Sequence, residues 1–354
     1  MRVGFYDPYL SILGGGEKYL LTMLETAVRD GHEVTLMSPA PTDAASWRRL
    51  GVEVAPDEFR WKAVNQLSVT PATHGLDLFV ALHNFLPPVS FAARSVAVIQ
   101  FPFRAVGSGR PLRRLGEVVR VRSYDTWVVY SRFVERHMRE RLRVEDAVVI
   151  APPVDVEVDV PVGKARSVVA VGRFFPAEDQ NNKKHGVMID AWRRLAADGW
   201  TLHLAGGAHA DPGTEAYVAG LRAQASGVAV EFHPNASPDR LEALYGDAAL
   251  FWHAAGHGET RPERQEHFGI TTVEAMAHGC VPVVAAVGGQ PEIVTDGVDG
   301  YLWGSVDELV ERTRSLIGDP ARAEELRAAA VRSARRFAKD EFVRRVRADV
   351  LRTS

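Results

Sequence analysis

Residues 266–284, Glu-His-Phe-Gly-Ile-Thr-Thr-Val-Glu-Ala-Met-Ala-His-Gly-Cys-Val-Pro-Val-Val, constrain the chain more than any other stretch. A loop passes through Gly269 into a helical segment carrying Val273, Ala275 and Met276, and Gly279 stands where a left-handed residue closes a helix. Residues 281–285 then read as a short Val-rich strand, followed by Gly288-Gly289. A loop entering a helix this way aims unpaired backbone N–H groups, and the positive end of the helix dipole, at one spot that suits a phosphate. Glu266 and Glu274 flank that spot, Glu274 being expected on the first helical turn. Carboxylates repel a bare phosphate, so their expected task is to accept hydrogen bonds from hydroxyls on either side of it. That pattern describes a sugar–diphosphate–ribose ligand.

The strand–loop–helix unit recurs along the chain. Residues 3–6 read as a strand, and Gly14-Gly15-Gly16-Glu17 opens a helix whose Leu20, Met23, Leu24, Ala27 and Val28 recur at helical spacing. Gly31 closes it, and residues 33–37 resume as strand. Further strands are expected at 76–82, 96–99, 126–130, 148–150, 167–171, 201–205, 228–232, 250–253 and 301–303. This alternation predicts an α/β fold built on parallel sheets. Ligands of such sheets bind outside the carboxyl ends of the strands, so His83, Gln100 and Arg173 are polar groups at the expected places. An arginine at one strand tip and Lys183 or Lys184 at the next helix start suit a diphosphate clamp. The turn at Gly14 lacks G-x-G-x-x-G, which argues against a dinucleotide and against hydride transfer.

The 354 residues suffice for two domains with separate cores, and Pro161 with Gly163 reads as the hinge between them. Lys+Arg 42 against Asp+Glu 45 leaves a net charge of −3, which disfavours a nucleic-acid partner. One cysteine excludes an internal disulfide framework, and Cys280 among valines reads as a small buried hydrophobe. The opening residues offer no signal-peptide core, and no apolar run is long enough to span a bilayer. The expected location is cytoplasmic. Arg104, Arg110, Arg113, Arg114, Arg120 and Arg122 crowd one segment with Glu117. It reads either as a solvated helix face or as a surface for an anionic acceptor or for headgroups on the inner face of the membrane. His253 and His257 resemble paired metal ligands only superficially, since no helix presents both rings together, and no Asp-x-Asp occurs, so no metal is expected.

Glu-x-Phe-Gly followed by Glu274 and then Ala-Met-Ala-x-Gly-x-x-Pro-Val resembles the signature of retaining family-4 glycosyltransferases of the GT-B fold. The spelling Glu-His-Phe-Gly-Ile is similar to the branch containing dolichol-linked mannosyltransferases. Gly14-Gly15-x-Glu17 matches that family's N-terminal loop, and Ala151-Pro152-Pro153-Val154-Asp155 its last N-domain loop. The resemblance implies two Rossmann-like domains facing across a cleft: residues 1–163 for the acceptor, 164–335 for the nucleotide sugar. Residues 336–354 are then a helix returning to the first domain through Phe337, Phe342, Val343 and Val346. It implies catalytic roles for Glu266, Arg173 and Lys183. Donor binding falls to Gly14, Gly15, Gly16, Arg173, Lys183, Lys184, Phe268, Gly269, Ile270, Thr271 and Glu274. His83, Gln100 and Arg104 are acceptor-side candidates. Many members carry histidine near the position of Gln100, and glutamine cannot shuttle a proton.

The resulting expectation is a metal-independent, retaining glycosyltransferase that needs no cofactor. Its partners are a nucleotide-sugar donor and a glycan, lipid-linked or small-molecule hydroxyl acceptor, and the spelling tilts the sugar toward mannose from GDP-mannose. The rivals are a sugar-nucleotide epimerase of the same fold and a non-catalytic nucleotide-sugar-binding protein.

Overall fold

The first seven strands form one parallel sheet in the computed structural model. It describes residues 1–352 apart from 13, 42–43, 49, 104–110, 146, 162 and 177–181, and not the side chains of 12, 44–45 and 111–114. The strands are β1 (Arg2–Tyr6), β2 (Glu33–Ser38), β3 (Arg60–Ala63), β4 (Leu78–His83), β5 (Arg94–Ile99), β6 (Thr126–Val129) and β7 (Val148–Val149). Their order is β3-β2-β1-β4-β5-β6-β7, so the direction of winding reverses between β1 and β4. The apolar runs explain the central strands, since β4 and all but the first residue of β1 and β5 are buried, as in a parallel sheet covered on both faces. β3, Arg-Trp-Lys-Ala, is exposed at every residue and carries no apolar pattern, and it escapes the sequence reading.

The second sheet contains β8 (Ala165–Val171), β9 (Thr201–Gly206), β10 (Val230–Pro234), β11 (Ala248–His253), β12 (Val281–Ala285) and β13 (Tyr301–Trp303). Its order, β10-β9-β8-β11-β12-β13, is the doubly wound order, and it reverses between β8 and β11. Trp192, Trp252 and Trp303 lie in a core with Val168, Leu204 and Leu309. Local signals set the helix ends. Ser131 accepts from the Val134 N–H, Ser237 from the Arg240 N–H ahead of Pro238, and Ser305 from the Glu308 N–H.

The chain divides into two compact units, Met1–Pro153 with Lys339–Ser354, and Val154–Ala338. Pro161 and Gly163 therefore lie inside the second unit rather than at its edge. Within the first unit, Phe342 packs edge-on to Tyr19 with ring centres 4.8 Å apart. Lys339 pairs with the buried Glu25 at 2.8 Å, and Arg347 forks onto Asp30 at 2.7 Å. Among the described residues, no helix is long and apolar enough to cross a membrane.

Candidate functional site

The polar groups of the second unit gather where its sheet reverses. β8 leads into Gly172-Arg173 and β11 ends at His253, the two strands on either side of the switch point. The helix His185–Leu195 starts after Lys184, whose left-handed backbone (φ 58°) sends two consecutive lysines to different carboxylates. Lys183 Nζ donates to Glu266 Oε2 at 2.7 Å, and Lys184 Nζ to Glu259 Oε1 at 2.6 Å. Asn182 fixes the approach, donating to the Phe175 carbonyl at 2.7 Å and accepting from the Lys184 N–H at 2.8 Å. A Cβ at Gly172 would lie 2.7 Å from Lys183 Cγ, so the start of the Arg173 loop runs against the Lys183 stem.

Glu266 is the centre of this arrangement. His253 Nε2 lies 3.2 Å from the same Oε2 that Lys183 reaches, and Gln290 Nε2 lies 3.3 Å from His253 Nδ1. Thr272 Oγ1 donates to Gln290 Oε1 at 3.0 Å. These contacts agree with one direction of donation: hydroxyl to amide carbonyl, amide N–H to Nδ1, and Nε2–H to the carboxylate. Burial lowers the His253 pKa despite the neighbouring Glu266, so the ring is neutral. Burial would raise the Glu266 carboxyl, but the Lys183 ammonium and the His253 ring hold it well below the usual carboxylate range. Oε1 has no hydrogen-bond partner among the described residues.

The loop after Glu266 is built by close backbone approach. The Gly289 N–H donates to the Glu266 carbonyl at 2.8 Å. A methyl on Gly288, at φ 64°, would overlap that carbonyl oxygen. Gly269 caps the helix Ile270–Ala277 at φ 121°, and a Cβ there would come within 2.5 Å of Gln290 Nε2. Ile270 and Thr271 head this helix, where backbone N–H groups lack a carbonyl one turn before them. Glu274 is the fifth helical residue and lies on the second turn, which corrects the first-turn placement. The helix starts at Ile270 because the backbone of Gly269 turns the chain directly before it. Glu274 accepts from the Tyr245 hydroxyl at 3.1 Å. Phe268 is buried against Phe337, with centroids 5.4 Å apart.

The structure thus brings Lys183, Glu266, Gly269 and the head of the Ile270 helix together. Arg173 is exposed, its guanidinium over the Phe175 ring at 4.7 Å. His257 is separate from His253, facing Trp303 at 4.7 Å. The sequence did not point to Gln290 or Glu259, and His253 was weighed only as a metal ligand and set aside. A histidine at a strand tip beside the reversal was the one available signal.

In the first unit, Gly14 caps the helix Gly15–Arg29, and its N–H donates to Glu17 at 2.6 Å. A Cβ on Gly16 would overlap the Gln100 side-chain amide, so this tip of β5 lies on the first helical turn. His83 is buried at the tip of β4, where Nδ1 accepts from the Phe85 N–H at 3.0 Å. Burial, with Arg120 nearby, pushes its pKa down to about 4, leaving a neutral ring with its proton on Nε2. It lines a cavity of about 520 Å³ with Tyr6, Phe85, Leu86, Glu117 and Arg120. Asp7, at the tip of β1, is also buried and went unnoticed. Its Oδ1 accepts from the Tyr9 N–H at 2.7 Å, and its Oδ2 has no partner among the described residues. Burial pushes its carboxyl up to about 7, against the Tyr9 bond and with a contribution from Glu17. Arg104 and Arg110 lie outside the described residues, as do the side chains of Arg113 and Arg114.

Two doubly wound α/β units, with polar groups massed at the strand tips beside each reversal, define a class of protein that takes its ligands at those tips. Residues 160–337, half of the chain, match the family described as glycosyl transferases group 1, and the chain belongs to that family. It is 29% identical over 245 residues to a D-inositol 3-phosphate glycosyltransferase from Mycolicibacterium smegmatis, covering 63% of this chain and 52% of the relative. It is 42% identical over 97 residues to D-inositol 3-phosphate glycosyltransferase 1 from Catenulispora acidiphila, covering 27% of this chain and 23% of the relative. The chain spans about half or less of the length of these curated relatives. Anabaena Alr3699/HepE, solved in complex with UDP, superposes with a TM-score of 0.73 at 21% identity, covering 99% of this chain and all of that one. The two parallel-sheet Rossmann-like units are the expected GT-B type of fold.

Proposed function

We propose that this chain transfers a hexose from a nucleoside diphosphate sugar to a hydroxyl acceptor, with retention of anomeric configuration and without a metal. The observation that carries this reading is the Lys183–Glu266–His253 cluster beside the head of the Ile270–Ala277 helix. Breaking the sugar–phosphate bond sends its electron pair onto the leaving diphosphate. Lys183, Arg173 and the backbone N–H groups of Ile270 and Thr271 offset that charge, the work a divalent cation does elsewhere. In this reading Lys183 is shared between Glu266 and the diphosphate once donor arrives. Glu266, oriented by His253, offers Oε1 to hydroxyls of the sugar ring and faces the developing positive charge at the anomeric carbon. Glu274 holds the ribose hydroxyls. The departing phosphate oxygen takes the proton of the attacking acceptor hydroxyl, so the protein supplies no separate base and Gln100 is compatible with the chemistry. Gly14, Gly15 and Gly16 serve the donor, and the cavity beside His83 takes the acceptor.

The Glu-His-Phe-Gly-Ile spelling tilts the donor toward GDP-mannose, whereas Anabaena Alr3699/HepE was also solved with UDP-glucose. A thermal-shift panel of nucleotide sugars decides between them. The activity test follows nucleoside diphosphate release with acceptor present, in the parent and in Lys183→Ala and Glu266→Gln. Full turnover in both variants overturns the assignment. Conversion of donor to an epimer without acceptor replaces it with the epimerase reading. The helix Pro111–Arg122 exposes Leu115, Val118 and Val119 beside Arg120 and Arg122, which supports a peripheral contact with an anionic membrane. Co-sedimentation with phosphatidylglycerol vesicles, lost in Leu115→Asp/Val119→Asp, tests that contact.

A further inference from the structure

Away from the donor groups, three side chains of the second unit converge as metal ligands do. β9 and β10 pair in parallel, with His203 opposite Glu231 and His233 opposite Ala205. Alternate residues of a strand share a face, and so do residues paired across a ladder, so His203, Glu231 and His233 project from the same side. His203 Nδ1 lies 3.1 Å from His233 Nε2. Glu231 Oε2 lies 3.4 Å from the first nitrogen and 3.6 Å from the second. A tetrahedral Zn²⁺ with bonds of about 2.0–2.1 Å holds its donors about 3.3 Å apart. The triangle has the dimensions of one face of that tetrahedron.

We propose that His203, Glu231 and His233 form a Zn²⁺ site, with the fourth position open to water. Two imidazole nitrogens and one carboxylate oxygen are a borderline donor set that suits this ion. Both rings are largely covered, and a neutral imidazole presents a lone pair to a cation. Without an ion, the rings meet nitrogen to nitrogen, an arrangement that uses only one N–H. The other charged groups acting on the rings are Arg240, which opposes a cation, and Asp247, which favours one. With Glu231 the local balance is one negative charge, before the ion is counted. The Glu231 side chain is 57% exposed and the histidines 15%, so an ion enters from the Glu231 side onto pre-set nitrogens. β10 is the edge of its sheet, and the ion would fasten it to β9. The inference is independent of the glycosyl-transfer reading, since none of the three residues takes part in it.

The test is competition between chelator-stripped full-length protein and a chromophoric zinc indicator. One equivalent of Zn²⁺ with a dissociation constant in the micromolar range or below is expected. His203→Ala and His233→Ala should each weaken binding at least tenfold. Glu231→Gln, at an exposed position that leaves folding intact, should weaken it several-fold, and His74→Ala in the first unit should leave it unchanged. Co²⁺ should give the intense visible absorption of a four-coordinate ion in the parent and lose it in His233→Ala. Undiminished affinity in both histidine variants, or no binding in the parent at tens of micromolar Zn²⁺, overturns the site.

Discussion

Both donors to Glu266 land on one oxygen, so the carboxylate is fixed in direction while its second oxygen is unoccupied by the described residues. Glu266→Gln keeps the size and loses the charge. Turnover should fall by about 10²–10³, as for loss of one preorganised electrostatic group, with donor KM changed only a few-fold, and steady-state kinetics reads both. Lys183→Ala should raise donor KM as well as lower turnover. Asp7 makes a prediction of opposite electrostatic character. Its carboxyl titrates at about 7 when folded and near 3.8 when not. Across that window the folded state holds a proton that the unfolded chain has released, so stability falls as pH rises through it. At roughly 1.4 kcal/mol per unit of pKa, the penalty above the window is at most about 4 kcal/mol. Asp7→Asn, which still accepts from the Tyr9 N–H, should therefore raise the melting temperature in alkaline buffer and change it little near the unfolded value. A shift of the same size at both ends would refute the burial-raised carboxyl.

At the level of elements, two glycines with left-handed backbones separate strain from crowding. Gly297 has φ 68°, and a methyl there would find its nearest neighbour 4.0 Å away, whereas Gly288 combines φ 64° with an overlapping carbonyl. Gly297→Ala should cost about 1–2 kcal/mol, the price of a left-handed alanine. Gly288→Ala should exceed that by more than twofold in chemical denaturation and displace Glu266, abolishing turnover. The same elements show what the sequence discloses. The strand–helix alternation and the Gly279 stop are local signals, and each is realised. β3 carries no such signal, because an exposed edge strand held by one neighbour needs no apolar pattern. The partners of Glu266 were hidden for another reason. Lys183 and His253 lie 83 and 13 residues before it, and only the winding of the sheet joins them. Charge type marked Glu266 and Lys183 as a pair of candidates, but nothing local indicated that they would bind one another.

At the scale of the molecule, the first unit is made from two separated pieces of chain, and Phe342 is one apolar link between them. Phe342→Ala removes a buried aromatic ring and should destabilise that unit by about 3–5 kcal/mol. Hydrogen exchange should then quicken in the helix Gly15–Arg29 and leave β8 and β11 protected. Equal loosening of both units would show that they unfold together. The order of synthesis gives this arrangement a further meaning. A ribosome must finish the whole of Val154–Ala338 before it releases Phe342, so Tyr19 waits through that interval with one side uncovered. The half of the protein made first is the half completed last, and a nascent chain with Ala338 just clear of the ribosome would carry a finished second sheet core beside a first one still open to chaperones.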